Sequence, residues 1–255
     1  MPKPKKQRKA KKQQQSGRCQ PVIDFLYSLM DKREDEWPAV RAAGIPAEVE
    51  AWMAASPERQ QDMAVVWGDV CREEPYEESY SATTSYVLED FGAGKYPEET
   101  PLVMIASDVA EDCVDAFPYP ERHKVGMAVI RLLLEAGVHP DEHGEDAFFG
   151  GPLHYACRWG YTELAELLLS YGASPNKTDV DEWTPLSEAI RAHSVELVRM
   201  LLAAGANPRI PDLAGYTPLW WAIEFGNAEI EALLHGAGAR KTKFTAADWA
   251  KYSKK

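Results

Sequence analysis

The sequence predicts an all-α fold, a solenoid of stacked helix pairs, and three observations support this fold class. Residues of four types recur at an interval of 33 in the C-terminal half of the chain. Apolar residues inside each interval follow helical spacing, as Leu164, Leu167 and Leu168 do. A glycine follows each such stretch, at the position where helices commonly end. The residues that keep the interval are Pro152, Pro185, Pro218, Glu163, Glu196, Glu229, Leu168, Leu201, Leu234, Gly172, Gly205 and Gly238.

A helix is predicted to start at each of the three prolines. Thr184 and Thr217 occupy the N-cap position, and a proline at the first helical position loses no hydrogen bond. Ala156, Ala189 and Ala222 follow in the same helices, where a small side chain lets a neighbouring helix approach closely. A second helix and a polar connecting segment, here called a finger, complete each unit. Neither helix can bury its apolar face alone, so the units must stack.

The repeated unit resembles the ankyrin repeat, and the resemblance covers about residues 100–250. The ankyrin signature T-P-L-H-x-A is represented here by Pro152-Leu153-His154-Tyr155-Ala156. Its relatives begin at Thr184 and Thr217. The resemblance implies that a partner protein binds the concave face, which the fingers and the first helices form. It also implies a structural role for His154, whose ring would hydrogen-bond the local turn.

The register of the repeats predicts the domain boundaries. An ankyrin-repeat domain is predicted over residues 100–255. The first unit is irregular, because about 16 extra residues within 107–123 separate its two helices. The segment "FTAADWAKY" is typical of a terminal capping helix. The predicted units are 100–145, 146–178, 179–211 and 212–241, followed by a cap at 242–255.

The N-terminal part is predicted to contain a disordered basic tail at residues 1–18 and a helical extension at 19–99. Three stretches of the extension have helical patterns: "PVIDFLYSLMDKRED", "IPAEVEAWMAAS" and "SPERQQDMAVVWGDVC". The third starts with Ser56 as N-cap and Pro57 at the first helical position. No family is recognised for the extension, so two interpretations stay open. It either covers the open end of the stack or forms a separate functional domain.

Charge is divided unevenly along the chain. Residues 1–18 carry eight Lys or Arg and no acid, whereas the remaining 237 residues hold 20 basic and 40 acidic residues, a formal charge of −20. An acidic body repels nucleic acid and attracts basic partners. Nucleic acid could therefore bind only through residues 1–18, which could equally be a solvated tail or a nuclear address in a eukaryote. The four cysteines are scattered, which is typical of reduced thiols, and no apolar run is long enough to span a membrane. We therefore expect a cytoplasmic protein. We also expect it to be a monomer.

No cofactor, metal or catalytic residue is predicted. The motif "EDFGAGKY" lacks the other kinase and phosphate-loop motifs, so it is interpreted as a glycine turn. The acidic cluster "HPDEHGED" at 139–146 could ligate a divalent ion, but polar residues are also ordinary in a finger. The histidines and cysteines have no spacing that indicates a nucleophile and its base.

The register also predicts which side chains face a partner. Aromatic residues and arginines recur at finger and first-helix positions that point away from the neighbouring units. Such residues are enriched at the energetic centres of interfaces. Trp220 is instead expected to pack against its own finger. The predicted partner-binding residues are Phe148, Phe149, Tyr155, Arg158, Trp159, Trp183, Arg191, Tyr216, Trp221 and Phe225.

These patterns favour a non-enzymatic module that binds a basic protein, as an adaptor or as an inhibitor or antitoxin-like protein. Two alternatives belong to other classes. The chain could be an enzyme whose active site lies in residues 19–99 or in the 107–123 insertion, with the repeats as substrate receptor. It could also be a nucleic-acid protein that acts through its basic tail.

Overall fold

The computed structural model describes residues 18–30, 32, 36–71, 101–111, 120–142 and 150–240. These residues contain twelve α-helices and no β-strand, so the predicted all-α fold class is confirmed. Residues 1–17 of the basic tail and the predicted cap at 242–255 lie outside the described residues. The chain divides into two compact units, Met1–Glu145 and Asp146–Lys255.

The described residues of the N-terminal unit form six helices. Two ion pairs join the fourth of them to the sixth: Arg131 binds both oxygens of the Asp62 carboxylate, with its closest contact at 2.7 Å, and Arg59 lies 2.7 Å from Glu135. Apolar residues such as Val66 are fully buried. The helices are α1 (Gln20–Met30), α2 (Trp37–Ala43), α3 (Ala47–Met53), α4 (Pro57–Val70), α5 (Pro101–Glu111) and α6 (Pro120–Glu135).

The start of α4 follows the predicted pattern. Ser56 is the N-cap, its hydroxyl accepts a hydrogen bond from the Arg59 N–H, and Pro57 is the first helical residue. The short helix α2 was not predicted, because its sequence, WPAVRAA, is too short to show a period. Trp37 is nevertheless fully buried, and Arg41 donates a 2.6 Å hydrogen bond to the Val70 carbonyl at the end of α4.

The insertion is predicted within residues 107–123, and the structure shows helix at 107–111 and at 120–123. Helix α5 runs on to Glu111, and α6 begins at Pro120, so only residues 112–119 lie between them. The extra residues therefore lengthen both helices as well as the segment between them, and the insertion itself stays a prediction. The physical reason is that "DVAE" continues the helical pattern of α5, while Pro120 is well placed to start α6.

Residues 150–240 of the C-terminal unit form three helix pairs arranged in two rows. First helices α7 (Pro152–Arg158), α9 (Pro185–Arg191) and α11 (Pro218–Glu224) pack side by side. Second helices α8 (Thr162–Ser170), α10 (Val195–Ala203) and α12 (Ala228–Gly236) form the other row. All three prolines that keep the 33-residue interval begin a helix, as predicted.

The helix caps differ in detail between the repeats. The Thr184 hydroxyl accepts a hydrogen bond from the Ser187 N–H, which is the expected N-cap contact. Thr217 also precedes its helix, but its hydroxyl instead donates to the Arg240 carbonyl at 3.0 Å. The second helices α10 and α12 are capped by Ser194 and Asn227.

His154 connects the start of α7 to the following finger. Its Nδ1 accepts a hydrogen bond from the Gly151 N–H at 3.1 Å, and its Nε2 lies 3.2 Å from the Trp183 carbonyl, to which the neutral ring donates. The imidazole fills the space beside Gly150, where a Cβ would lie only 2.5 Å from the ring. Burial lowers the pKa of His154 to about 4. His154 is therefore a neutral structural residue, as the family resemblance implied.

We expect His154 to make the stability of the C-terminal unit depend on pH. Between pH 6.5 and 4 the unfolded chain binds a proton at this histidine and the folded chain does not, so stability is lost as the pH falls through this range. The loss should reach about 2–3 kcal/mol near pH 4.5. Urea unfolding of the wild type and of His154→Gln at pH 7 and 4.5 measures it. The stability difference between the two proteins should shrink by that amount, and a constant difference would contradict the prediction.

The turn between the first and second helices needs a left-handed residue. Gly160 and Gly226 occupy it with φ of 76° and 68°, whereas the second repeat places His193 there with φ of 55°. Residues other than glycine are destabilised in this conformation, because their Cβ atom crowds the backbone. The second repeat therefore carries local strain that the first and third do not.

Replacing His193 by glycine should stabilise the fold by about 0.5–1 kcal/mol, because relief of the left-handed strain exceeds the added entropy of the unfolded chain. Ala192→Gly is the matched control. Ala192 has φ of −74°, so glycine brings no relief there and should destabilise. The urea midpoints of the two variants should therefore move in opposite directions. Equal downward shifts would show that the His193 backbone is not strained.

Candidate partner-binding face

In each of two fingers of the C-terminal unit, an aspartate at the equivalent position accepts hydrogen bonds from the finger backbone. The Asp179 carboxylate accepts hydrogen bonds from the backbone N–H groups of Asp181 and Trp183, at 3.0 and 2.8 Å. The Asp212 carboxylate accepts from the Tyr216 N–H at 2.9 Å. In each finger this aspartate fixes the backbone of the aromatic residue that precedes the next first helix.

These fingers and the helix α11 bring five aromatic side chains together, here called the aromatic cluster. Trp221 is at its centre: its ring centroid lies 5.3 Å from that of Trp183 and 5.5 Å from that of Phe225, which stacks on it at 24°. All five side chains are partly exposed. The cluster consists of Trp183, Tyr216, Trp220, Trp221 and Phe225.

The orientation of Trp221 is fixed by a hydrogen bond. Its indole Nε1–H donates to the Asp212 carboxylate at 2.8 Å, and Asp212 is only 3% exposed. One carboxylate thus holds both the finger and the central tryptophan. Since the polar atom of the indole already has its partner, the exposed part of the ring offers an apolar surface in a defined position.

Glu188 holds two of the predicted arginines. Its carboxylate is nearly completely buried, and its Oε1 accepts two hydrogen bonds from Arg158, the shorter at 2.6 Å. Arg191 lies 2.8 Å from Oε2, but its geometry gives an ion pair and not a hydrogen bond. The Arg191 guanidinium also lies 5.5 Å from the Trp183 ring centroid. The arginines thus border the aromatic cluster and neutralise a buried charge.

The tips of the two fingers expose apolar side chains. Val180 is 51% exposed and Leu213 is 59% exposed, and they occupy equivalent positions 33 residues apart. The Leu213 N–H donates to the Asp181 carbonyl at 2.9 Å, so the two tips are joined. Burial, and secondarily the Asp212 charge, raises the pKa of Glu182 beside them. The tips therefore combine apolar contact surface with negative charge.

The remaining predicted residues differ in their exposure and in their contacts. Tyr155 is 7% exposed and has Arg158 over its ring, so it offers little surface to a partner. Trp159 is partly exposed, but within residues 150–240 no aromatic ring contacts it. Phe148 and Phe149 lie outside the described residues. Trp220 contacts the finger residue Tyr216, with ring centroids 4.0 Å apart, which agrees with its predicted place.

Two potentially reactive side chains of the C-terminal unit, His154 and Cys157, are buried. Both nitrogens of His154 have partners, and burial raises the pKa of the Cys157 thiol well above its ordinary value, which disfavours the reactive thiolate. Within the described ranges no group of three potential metal ligands occurs, although residues 143–146 of the acidic cluster at 139–146 fall outside those ranges. In the same residues no helix has the length and apolar character to cross a membrane.

Asp212, Val180 and Leu213 are the residues that sequence reasoning missed. The 33-residue interval contained a signal for them, since it relates Asp212 to Asp179 and Leu213 to Val180. The predicted binding residues are all aromatic or basic, so these three residues are not among them. The indole hydrogen bond of Trp221 leaves no such signal, because it joins residues nine apart within a single repeat.

Comparison with known proteins agrees with this architecture. A family model for ankyrin repeats matches three copies, over residues 123–212 and 153–245. The chain is 46% identical over 63 residues to ankyrin repeat and SOCS box protein 16 of Mus musculus, which covers 25% of this chain and 14% of that protein. It is 34% identical over 64 residues to a putative ankyrin repeat protein of fowlpox virus (strain NVSL), which covers 25% and 9%.

The chain thus spans less than a sixth of the length of either relative, and the similarity concerns the repeats and not the rest of those proteins. The 33-residue register, the paired helices and the His154 contacts all agree with the family match. Residues 123–245 of this chain therefore belong to the ankyrin repeat family.

Proposed function

We propose that this chain is a non-enzymatic interaction module that binds a basic partner protein on the face formed by its fingers and first helices. Ankyrin repeats commonly serve protein–protein interaction, and the aromatic cluster is the observation that carries the proposal for this chain. Five partly exposed aromatic side chains in mutual contact are an unusual surface for a protein without a partner. The arginines and the apolar finger tips extend the same surface.

The fixed geometry of the cluster supports binding over simple core packing. The indole hydrogen bond to Asp212 and the stacking on Phe225 restrict Trp221 before any partner arrives. A side chain that is already ordered loses less entropy on binding, so it contributes more to affinity. Tryptophan, tyrosine and arginine are also the residues most enriched at interface hot spots.

The net charge of the C-terminal unit favours a basic partner. Residues 150–240 contain eleven acidic and six basic residues. Three of the six basic residues, Arg158, Arg191 and Arg199, already form ion pairs with carboxylates of this unit. The net negative charge therefore resides on the other carboxylates, and it attracts cations and accelerates their association. An adaptor or an inhibitor that covers a basic site of its partner fits this arrangement.

The experiment that tests the proposal compares Trp221→Ala with two controls. Trp221→Ala should weaken partner binding by roughly 2 kcal/mol or more, the scale of a hot spot. Tyr171→Ala removes a partly exposed aromatic residue at the end of the second-row helix α8, so binding should persist. Immobilised wild-type and variant chains are incubated with a lysate of the source cells, and retained proteins are quantified by mass spectrometry.

Leu168→Ala separates binding from folding. Leu168 is fully buried in α8, so its truncation should lower stability by about 2–5 kcal/mol without changing the face. Thermal melts of all variants give the folded fraction by which retention is corrected. If Trp221→Ala melts as early as Leu168→Ala and retains the same proteins per folded molecule, the cluster is core and the proposed face is wrong.

A further inference from the structure

The last residue of each first helix shows a pattern that the aromatic cluster alone does not explain. The three equivalent residues are Arg158, Arg191 and Glu224, spaced 33 apart. Arg158 lies 5.6 Å from the Tyr155 ring centroid and is hydrogen-bonded to Glu188. In the first repeat a guanidinium is thus held between an aromatic ring and a carboxylate.

The second repeat has the same arrangement. Arg191 lies 5.5 Å from the Trp183 ring centroid and 2.8 Å from the other oxygen of Glu188. Cation–π attraction and an ion pair act on the same guanidinium in both repeats. The first two repeats, here called the first and second steps of the first-helix row, thus each contain an aromatic ring and a guanidinium that joins this ring to the shared Glu188 carboxylate.

The third repeat contains the ring and the carboxylate, but its equivalent residue does not supply the cation. Glu224 is exposed at the end of α11, three residues after Trp221 and next to Phe225, so Glu224 and Trp221 are neighbours on the same face of the helix. Across residues 150–240, no basic side chain forms an ion pair with Glu224. Asp212 is not an alternative, since it is buried and accepts from Trp221.

We propose that an arginine side chain of the partner occupies this third step, with its guanidinium against the Trp221 and Phe225 rings and its charge on Glu224. This inference rests on the proposed function and specifies what the partner inserts. Arginine fits better than lysine, because a planar guanidinium stacks on aromatic faces and binds carboxylates in a bidentate manner. The two arginines of this chain already use that geometry in the neighbouring repeats.

Charge balance directs the incoming cation to the third step. Arg158, Arg191 and Glu188 together carry a net positive charge, so the first two steps repel a further arginine. Glu224 leaves the third step with a net negative charge. Glu224 is exposed, so a single arginine should bind weakly, with the rest of the partner supplying the remaining affinity.

The test uses the full chain and a short peptide in which arginine is the one charged residue, N-acetylated Gly-Gly-Arg-Gly-Gly amide. Titration is followed by the NMR signals of the tryptophan indole N–H groups, with the Trp221 signal assigned from a Trp221→Phe variant. The arginine peptide should shift the Trp221 signal in a saturable manner. The citrulline peptide, which has the same shape without the charge, should not, and the lysine peptide should bind more weakly.

Two substitutions of Glu224 make the test specific. Glu224→Gln removes the carboxylate charge and should weaken peptide binding about two- to fivefold, the scale of an exposed ion pair. Glu224→Arg places this chain's own guanidinium in the third step, as in the first two repeats, and should abolish the shift. Glu166→Arg is the matched control: Glu166 is exposed on second-row helix α8, so the same change in charge there should leave binding intact.

The proposal is overturned if the citrulline or lysine peptide binds as tightly as the arginine peptide, if no peptide shifts the Trp221 signal, or if Glu224→Arg binds like the wild type. These outcomes are distinct from failure of the proposed function. A partner that is lost with Trp221→Ala but retained by Glu224→Arg would refute the arginine site and leave the binding face in place. Retention of every protein by Trp221→Ala, together with a specific arginine shift, would refute the face as a protein-binding surface.

Discussion

The side-by-side packing of the short first helices is the constraint on which the C-terminal unit depends. Each of these helices has seven residues, too few to be stable alone in water. Ala156, Ala189 and Ala222 are completely buried, so the helix backbones can approach closely. Each helix is stable only between its neighbours, so the residues that make these contacts must be repeated in every unit. This requirement keeps the interval of 33 residues constant from one unit to the next.

This packing also determines how the outward side chains interact. Arg158 of one repeat forms an ion pair with Glu188 of the next repeat. Trp183 in the finger before α9 contacts Trp221 in α11, the first helix of the next repeat. Neither contact exists within an isolated repeat. The charge and the aromatic surface of the face are therefore properties of the stack, and a substitution that shifts one repeat relative to the next would disturb both.

The register predicted the helix starts that recur in the C-terminal unit, whereas two features without a second copy were missed. Helix starts at Pro152, Pro185 and Pro218 recur, so a single sequence displays them. Helix α2 and the extension of α5 to Glu111 occur once, and no second copy reveals them. Side-chain roles were predicted less well than positions: Tyr155 occupies a face position but is buried beneath Arg158.

Backbone strain is concentrated beside the aromatic cluster. Within the described residues, Glu182 and His193 are the two non-glycine residues with positive φ, at 60° and 55°. Glu182 precedes Trp183, and its counterpart in the next repeat is Gly215 with φ of 85°. The His193 ring lies 5.5 Å from that of Phe225. Strained residues persist where function outweighs stability. Glu182 and His193 flank α9 at its two ends, and both lie beside residues of the aromatic cluster, so the strain at these positions supports the proposed binding face.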